Sequence, residues 1–587
     1  MSNIFYWKPL PKYDSLQDLL NQFSDFFQKK IQTIRDNLDT EIINTDATAI
    51  TSVLPLEESQ PPGTLSSFEM LTEDDVSKII MSSPSKSCSL DPIPTWLLKQ
   101  LCHCLSPVIT KIVNLSLQTG YLPKSMKLAL VTPLIKKLCL DKEVMKNYRP
   151  VSNLPFVSKI IEKAFIKQLS SHMDIYNLHT PVQSAYRRGH STETAILKIQ
   201  NDILISLDSS KGVILILLDL SAAFDTIDHN ILLSRLQSRI GITDTALQWV
   251  KSYLSDRSQV IHLDGVSSDS CLLLFGVPQG SVGGPQKFTI YSGPLHDIAK
   301  AHGLSIHMYA DDTQIYLSFD LTPLSAEEAK SKLENCIADI RIWMRTNKLQ
   351  LNEDKTELLV ISPLRQSNKV KLDSIQVGDC PIQVSDVARN LGVVFDKHMT
   401  LKPQISSLVK SCNWQLRRIG QIRKFLSFQA SEKLIHAFVT SRLDNGNSIL
   451  YGLPDYLIGR LQQIHNTAAR ILTLTRKYDH ISPILKKLHW LPVEKRIIYK
   501  ILILTYRCLH ESTPIYLADL LHPHQPSRSL RSSELSLLRV PKSRTKTYGD
   551  RAFQNAAPKL WNKLPLLIRQ AKSFSCFKSQ IKCYLSK

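Results

Sequence analysis

Apolar residues recur every third or fourth position through Leu16, Leu20, Phe23, Phe27, Ile31 and Ile34. That spacing predicts an amphipathic helix over 12–39 that packs on its own domain. Residues 45–65, rich in Thr, Ser, Glu and Pro and carrying Pro61-Pro62-Gly63, read as a linker. Asp74 to Gln118 is helical in pattern and broken at Ser89–Pro94. From about 125 to 396 short apolar strands alternate with helices. Leu128–Ile135, Leu358–Ile361 and Leu391–Phe395 read as strands, and Lys159–Leu169 and Glu193–Leu207 as helices. Val213–Leu220, apolar apart from Asp219, reads as one strand buried on both faces. Ile306–Phe319 reads as two strands around a turn at Asp311-Asp312. Such interleaving predicts an α+β sheet backed by helices. Beyond 400 the period becomes helical, as in Leu461–Leu472, where Arg460, Gln463 and Arg470 fall on the other face. No internal repeat is present.

Charge sharpens this division. The 587 residues carry a net +20, yet 33 of the 72 Lys and Arg lie after Asp396 against only 9 of the 52 acids. The whole excess therefore sits in the last third. A basic region of this kind binds phosphates and releases them as salt rises. The eleven cysteines show no zinc spacing and are expected to be reduced thiols. The N-terminus MSNIFYWKPLPKYD lacks an apolar signal core. No apolar stretch approaches the roughly 20 residues that span a bilayer. The expectation is an intracellular protein of cytoplasm and nucleus, neither secreted nor membrane-spanning.

The candidate chemistry begins with carboxylates at strand ends. The run Val213–Leu218 leads straight into Asp219, and an acid ending a buried strand is costly unless it caps an element or holds a cation. Asp311 and Asp312 are adjacent at a tight turn, where they repel one another unless a divalent metal intervenes. Strand pairing that joined Asp219 to Asp311 would form an oxygen-ligand site for two Mg²⁺, the arrangement that stabilises attacking and leaving oxygens in phosphoryl transfer. Either acid alone is as well read as a turn or capping residue.

The surroundings make the pattern specific. Tyr309-Ala310-Asp311-Asp312, Asp219-Leu220-Ser221-Ala222-Ala223-Phe224-Asp225 and Gly276-Val277-Pro278-Gln279-Gly280-Ser281 resemble the catalytic boxes of reverse transcriptases. Lys146–Ser152 and Gln183–Thr192 resemble fingers boxes of non-LTR (LINE-type) retrotransposons, and Leu351–Thr356 and Asn390–Val393 the last palm boxes. The order is the family's own, and the resemblance covers nearly the whole chain. It implies a right-hand polymerase, with fingers and an antiparallel palm sheet backed by helices, followed by a mainly helical basic C-terminal region. It implies that Asp219, Asp311 and, more weakly, Asp312 hold Mg²⁺ or Mn²⁺, with Lys355 as general acid for the leaving pyrophosphate. Lys136 and Arg149 would grip the dNTP triphosphate, Phe224 would exclude a ribose 2′-OH, and Gln279 and Gly280 would lie against the nucleotide. RNA template and DNA primer are the implied partners. On this basis the chain divides into a helical segment and linker (1–65), a helical N-terminal extension (66–116), fingers and palm (117–396), a thumb-like basic region (397–521), a basic connector (522–547) and a C-terminal helical segment (548–587).

Two departures qualify the resemblance. The chain starts inside what resembles the linker after the family's endonuclease, so it reads as a truncated copy. After Gly280 the family's apolar helix is replaced by Gly283-Gly284-Pro285-Gln286-Lys287-Phe288, and Ser292-Gly293 and Asp444-Asn445-Gly446-Asn447 also differ. Interior helix glycines cost about 1 kcal/mol each, and a buried Lys287 would cost more unless its ammonium snorkels to water. The alternatives are an active RNA-directed DNA polymerase and a decayed relic that at most binds RNA through its basic C-terminal region. A metal-dependent nuclease would leave the Pro-Gln-Gly turn and the fingers boxes unexplained.

Overall fold

The computed structural model describes residues 10–43, 60–378, 380–510, 513–524 and 536–586. Most of the 45–65 linker and the middle of the 522–547 connector lie outside the described residues. The chain forms two compact units, each assembled from separated segments.

The first unit comprises 1–180, 220–298 and 338–352. Its largest sheet is built on strand Leu128–Ile135, which pairs antiparallel with Tyr148–Asn153 and parallel with Ser258–Leu263. Helix Leu16–Ile43 lies on this sheet, burying Leu20, Phe23 and Phe27 against Val131, Tyr148 and Ile261. Ion pairs Arg35–Asp228 and Arg345–Glu41 tether its polar side. The extension expected to be helical forms Glu73–Ser82, Thr95–Gln100 and Cys102–Thr119, with the break where Ser89–Pro94 predicted it. Trp249 centres the neighbouring core, stacked on Phe165 at 4.6 Å and on Tyr253 at 5.6 Å.

The second unit comprises 181–219, 299–337 and 353–587. Its antiparallel sheet runs Glu357–Ile361, Lys211–Leu218, Asp312–Asp320, Ser305–Tyr309. Helix Thr192–Asp208 packs Ile196, Ile199 and Ile203 onto the sheet residues Val213, Leu215 and Leu359. The same core continues into the helices Lys402–Ile422, Asp455–Thr473, Val493–His510, Phe553–Asn562 and Phe574–Ser586. The architecture is thus α+β, an antiparallel sheet backed by helices and followed by a helical, basic C-terminal region. No helix among the described residues is long and apolar enough to cross a membrane, and no disulfide is formed among the described residues.

Two boundaries differ from the pattern reading. The strand expected over Val213–Leu220 ends at Leu218, and Leu220–Ser221 pairs instead with Gln350–Leu351. Asp219 therefore stands between two ladders. The hairpin turn falls on Ala310-Asp311, one residue earlier than expected, so that Tyr309 pairs with Asp312.

The C-terminal segment is held by aromatic packing. Phe577 is fully buried, stacked on Tyr506 at 4.3 Å and tilted against Trp561 at 5.8 Å. Phe577→Ala should destabilise the helical region by about 3–5 kcal/mol, the usual cost of emptying a buried aromatic site. Urea unfolding followed by far-UV circular dichroism should show the lowered midpoint.

Candidate active site

The acids are placed by the register of the second unit's sheet. Leu218 pairs with Thr313 and Tyr309 with Asp312. One step beyond Leu218, Asp219 comes level with Asp312 at the end of the sheet where the Ala310-Asp311 turn closes. Ala310 takes the left-handed region, with φ 57°, a conformation that costs an alanine free energy and is held by its neighbours. Its N–H donates to Gln183 Oε1 at 3.0 Å, and the same oxygen accepts the N–H of Ala185. The Gln183 segment runs along Ser305–Tyr309, with Ser184 N–H donating to the Met308 carbonyl and Met308 N–H to that of Val182. Gln183 is thus a clamp on the acid turn. It lies inside the Gln183–Thr192 segment that resembles a fingers box, but its role is a tertiary contact that no spacing in the chain reveals.

The electrostatics fit a cation site. Burial, and after it the carboxylate of Asp219, raises Asp311 above its ordinary range. Partial withdrawal from water, then Asp311 and Asp219, raises Asp312 to about 6. Lys355 supplies local positive charge, its ammonium donating to Asp219 Oδ2 at 2.9 Å. Four of the expected residues, Asp219, Asp311, Asp312 and Lys355, therefore interact within one unit. Their oxygen donors suit Mg²⁺ or Mn²⁺. Among the described residues, however, no three His, Cys, Asp or Glu side chains are drawn together as a formed metal cage.

The remaining expected residues lie in the first unit. The Gly276–Gly280 loop packs on the Phe224-Asp225 turn: Val277 N–H donates to the Phe224 carbonyl at 2.9 Å. The amide of Gln279 donates to both oxygens of Asp225, at 3.0 and 2.8 Å. Burial raises Asp225 to about 6, opposed by the Gln279 bonds and by Lys30. Asp225 closes the first catalytic box, but its partnership with Gln279 appears only in three dimensions. Gly280 is required twice over: its φ is 124°, and a Cβ would stand 2.3 Å from the Ser152 carbonyl oxygen. Phe224 rests against Phe288 with ring centroids 4.9 Å apart. Lys136 and Arg149 are exposed at the loop end of the Leu128–Ile135/Tyr148–Asn153 hairpin, where Leu134 pairs with Arg149. The Lys136 ammonium donates to the Lys146 carbonyl at 2.8 Å. Three residues along from Arg149, Ser152 donates its N–H to the Gln279 carbonyl at 2.7 Å.

The family profile described as reverse transcriptase (RNA-dependent DNA polymerase) matches residues 136–395. The chain carries a reverse transcriptase domain. Its relatives include a probable RNA-directed DNA polymerase from transposon BS of Drosophila melanogaster, 24% identical over 76% of this chain and 48% of that protein. Another is the RNA-directed DNA polymerase from mobile element jockey of the same species, 24% identical over 68% of this chain and 43% of that protein. The chain spans about half the length of these curated relatives. Among solved structures, apo telomerase from Candida tropicalis, truncated from its C-terminal domain, aligns at 11% identity over 47% of this chain and 54% of that one. Its TM-score of 0.33 is too low to bear on the fold.

Within the reverse transcriptase domain, the segment after Gly280 corrects the expectation of a broken helix. The helix is Gly284–Tyr291, so Gly283 is its cap and Gly284 its first residue, while Ser292 and Gly293 follow its end. None of these glycines is interior. Lys287 does not snorkel. It is fully buried, its ammonium 4.2 Å from the centre of the Tyr253 ring and 5.2 Å from that of Phe165. Gly283 makes the space, because a Cβ there would come within 2.5 Å of the ammonium. Glu162 supplies the opposing charge, and its Oε2 also accepts the N–H groups of Val282 and Gly283.

Burial lowers Lys287 from 10.5 to about 8, partly offset by Glu162. A folded-state value below the unfolded one means that burial opposes folding at and below pH 8, and that this cost is relieved as pH rises towards 10.5. Relative to Lys287→Met, the wild type should therefore gain about 3 kcal/mol between pH 8 and 10.5. Paired denaturant titrations across that range measure the gain, and parallel pH curves would rule out a buried ammonium.

Proposed function

We propose that this chain is the RNA-directed DNA polymerase of a non-LTR retrotransposon, adding dNTPs to a primer 3′-OH on an RNA template. The observation that carries this reading is the meeting of Asp219 with the Asp311-Asp312 turn at one end of a single antiparallel sheet. Asp219 and Asp311 are the proposed ligands of Mg²⁺ or Mn²⁺, with Asp312 contributing more weakly. When bound, such ions stabilise charge on the attacking and leaving oxygens.

The other roles follow from the chemistry of the side chains. Lys355, already bonded to Asp219, carries a proton that it can give to the departing pyrophosphate. Lys136 offers a point charge and Arg149 a bidentate fork to the triphosphate. Gln279, its amide held by Asp225, and Gly280, without a side chain, are the proposed contacts of the nucleotide. Phe224, buttressed by Phe288, occupies the volume a 2′-OH would need. Work on cytoplasmic RNA and nuclear DNA would place the protein in both compartments.

A second reading, a relic that only binds RNA, is favoured by one observation: a buried lysine at position 287, where the resemblance expects an apolar side chain. Primer extension separates the two. Purified wild-type protein should extend a DNA primer on an RNA template in Mg²⁺, and Asp311→Ala should lower the rate at least about 100-fold, as removal of a principal electrostatic element does. Absence of extension by the wild type, with salt-sensitive RNA binding indifferent to Asp219→Ala, would establish the relic. In an active protein, Phe224→Val should raise incorporation of ribonucleotides relative to deoxyribonucleotides, read by single-nucleotide extension with each in turn.

A further inference from the structure

Thirty consecutive residues, 402–431, contain no Asp or Glu, but they include Lys402, Lys410, Arg417, Arg418, Arg423 and Lys424. The segment folds as helix Lys402–Ile422, a tight turn Arg423–Phe425 and the start of helix Phe428–Ile435. One face is core, with Ile405, Cys412, Leu416 and Ile419 buried. Arg423 belongs to that side, being buried and donating to the carbonyls of Ile471, Leu472 and Leu426. The opposite face presents Lys410, Trp414, Arg417, Arg418, Gln421, Lys424 and Phe425, all exposed. Trp414 is 53% exposed and Phe425 78%. Each carries a cation over its ring: Arg418 at 4.2 Å from the centre of Trp414, and Lys424 at 4.9 Å from that of Phe425. No ion pair among the described residues neutralises Lys410, Arg417, Arg418 or Lys424.

We infer that this face is a binding track for single-stranded nucleic acid, with unpaired bases stacking on Trp414 and Phe425 and phosphates held by Lys410, Arg417, Arg418 and Lys424. Exposed aromatic rings interleaved with unpaired cations are the combination that recognises a single strand without reading its sequence. A duplex would use the cations but leave the rings without a partner, since its bases are already stacked. A second copy of the chain would set one acid-free basic face against another. A membrane would require the helix to insert an apolar face, and that face is already buried in the core. From Lys410 to Phe425 the track extends about 22 Å, room for several nucleotides. It goes beyond the polymerase reading and needs neither Asp219 nor Asp311.

The test uses the full-length chain carrying Asp219→Asn and Asp311→Asn, so that binding is measured whether or not the protein can polymerise. Fluorescence anisotropy is read with a labelled 12-nucleotide oligouridylate, its abasic counterpart and a 12-base-pair duplex. Trp414→Ala should weaken oligouridylate binding about tenfold, the scale of one lost base stack, without changing the salt slope. Trp414→Phe should restore most of the affinity. Arg418→Ala should weaken binding and also flatten the salt slope by roughly 0.7, as loss of one phosphate contact to a single strand requires. The abasic strand, which loses the stacks on both Trp414 and Phe425, should bind the parent more weakly than oligouridylate binds the Trp414→Ala chain. Equal losses for strand and duplex, or no loss on Trp414→Ala, would overturn the inference. So would sedimentation showing that Trp414→Ala instead dissolves a dimer. Position 414 is exposed, and an unchanged thermal melt separates loss of binding from loss of fold.

Discussion

Strand Lys211–Leu218 is hydrogen-bonded along both edges, to Glu357–Ile361 on one side and to Asp312–Asp320 on the other. That double pairing is the constraint on which the acid site depends. Val213, Ile214, Leu215 and Ile216 are buried, and a slip of one residue would reverse the face of every side chain in the strand. Burial therefore locks the register, and the register fixes where Asp219 leaves the ladder relative to the Asp311-Asp312 turn. The turn itself contains an alanine with positive φ, held by the Tyr309–Asp312 pairing around it and by Gln183, which takes up its N–H. Carboxylates that repel one another are thus held together by contacts that are mostly apolar, with one buried amide at the end of the sheet.

The buried Lys287 shows the same logic with the opposite sign. An ammonium without a hydrogen-bond partner is expensive to bury. Here it is set between two aromatic faces and near a carboxylate that is itself anchored by two backbone N–H groups. Glu162 is therefore a joint between the Phe156–Ile175 helix and the turn leading from Gln279 into the next helix. An apolar side chain at 287 would leave that joint intact through the backbone bonds alone, and the lysine adds cost without adding a contact to Gln279. The substitution strains the domain's stability more than it disturbs the loop that bears Gln279 and Gly280.

The continuous apolar run before Asp219 and the two apolar strands around the Asp311-Asp312 turn make the central sheet legible in the chain, because burial on both faces leaves a direct imprint on composition. What could not be read depends on partners far away in sequence. The strand breaks at Asp219 because the residues on either side join different ladders, and no local pattern records a change of partner. Gln183 lies 127 residues from Ala310, and Gln279 lies 54 from Asp225. The helix after Gly280 departs from its sequence pattern for the same reason. Glycine spacing suggested interior damage, whereas the fold starts the helix one residue later than Gly283 and uses that glycine to house the lysine.

The C-terminal surplus of positive charge needs a similar distinction between composition and position. Arg423 spends its donors on the carbonyls that end helix Asp455–Thr473. Arg551, buried and lowered to about 10 by that burial, donates to the carbonyls of Met399 and Thr547. Such guanidinium groups close helix ends and loops, and no phosphate can reach them without unfolding their surroundings. The net charge of the region therefore overstates its capacity for polyanions, and the salt dependence of binding reports only the cations left outside. Lys410, Arg417, Arg418 and Lys424 are in that second class, and they share their surface with rings that have no role in the core. On that surface charge supplies attraction to any nucleic acid, while the exposed rings discriminate between paired and unpaired bases.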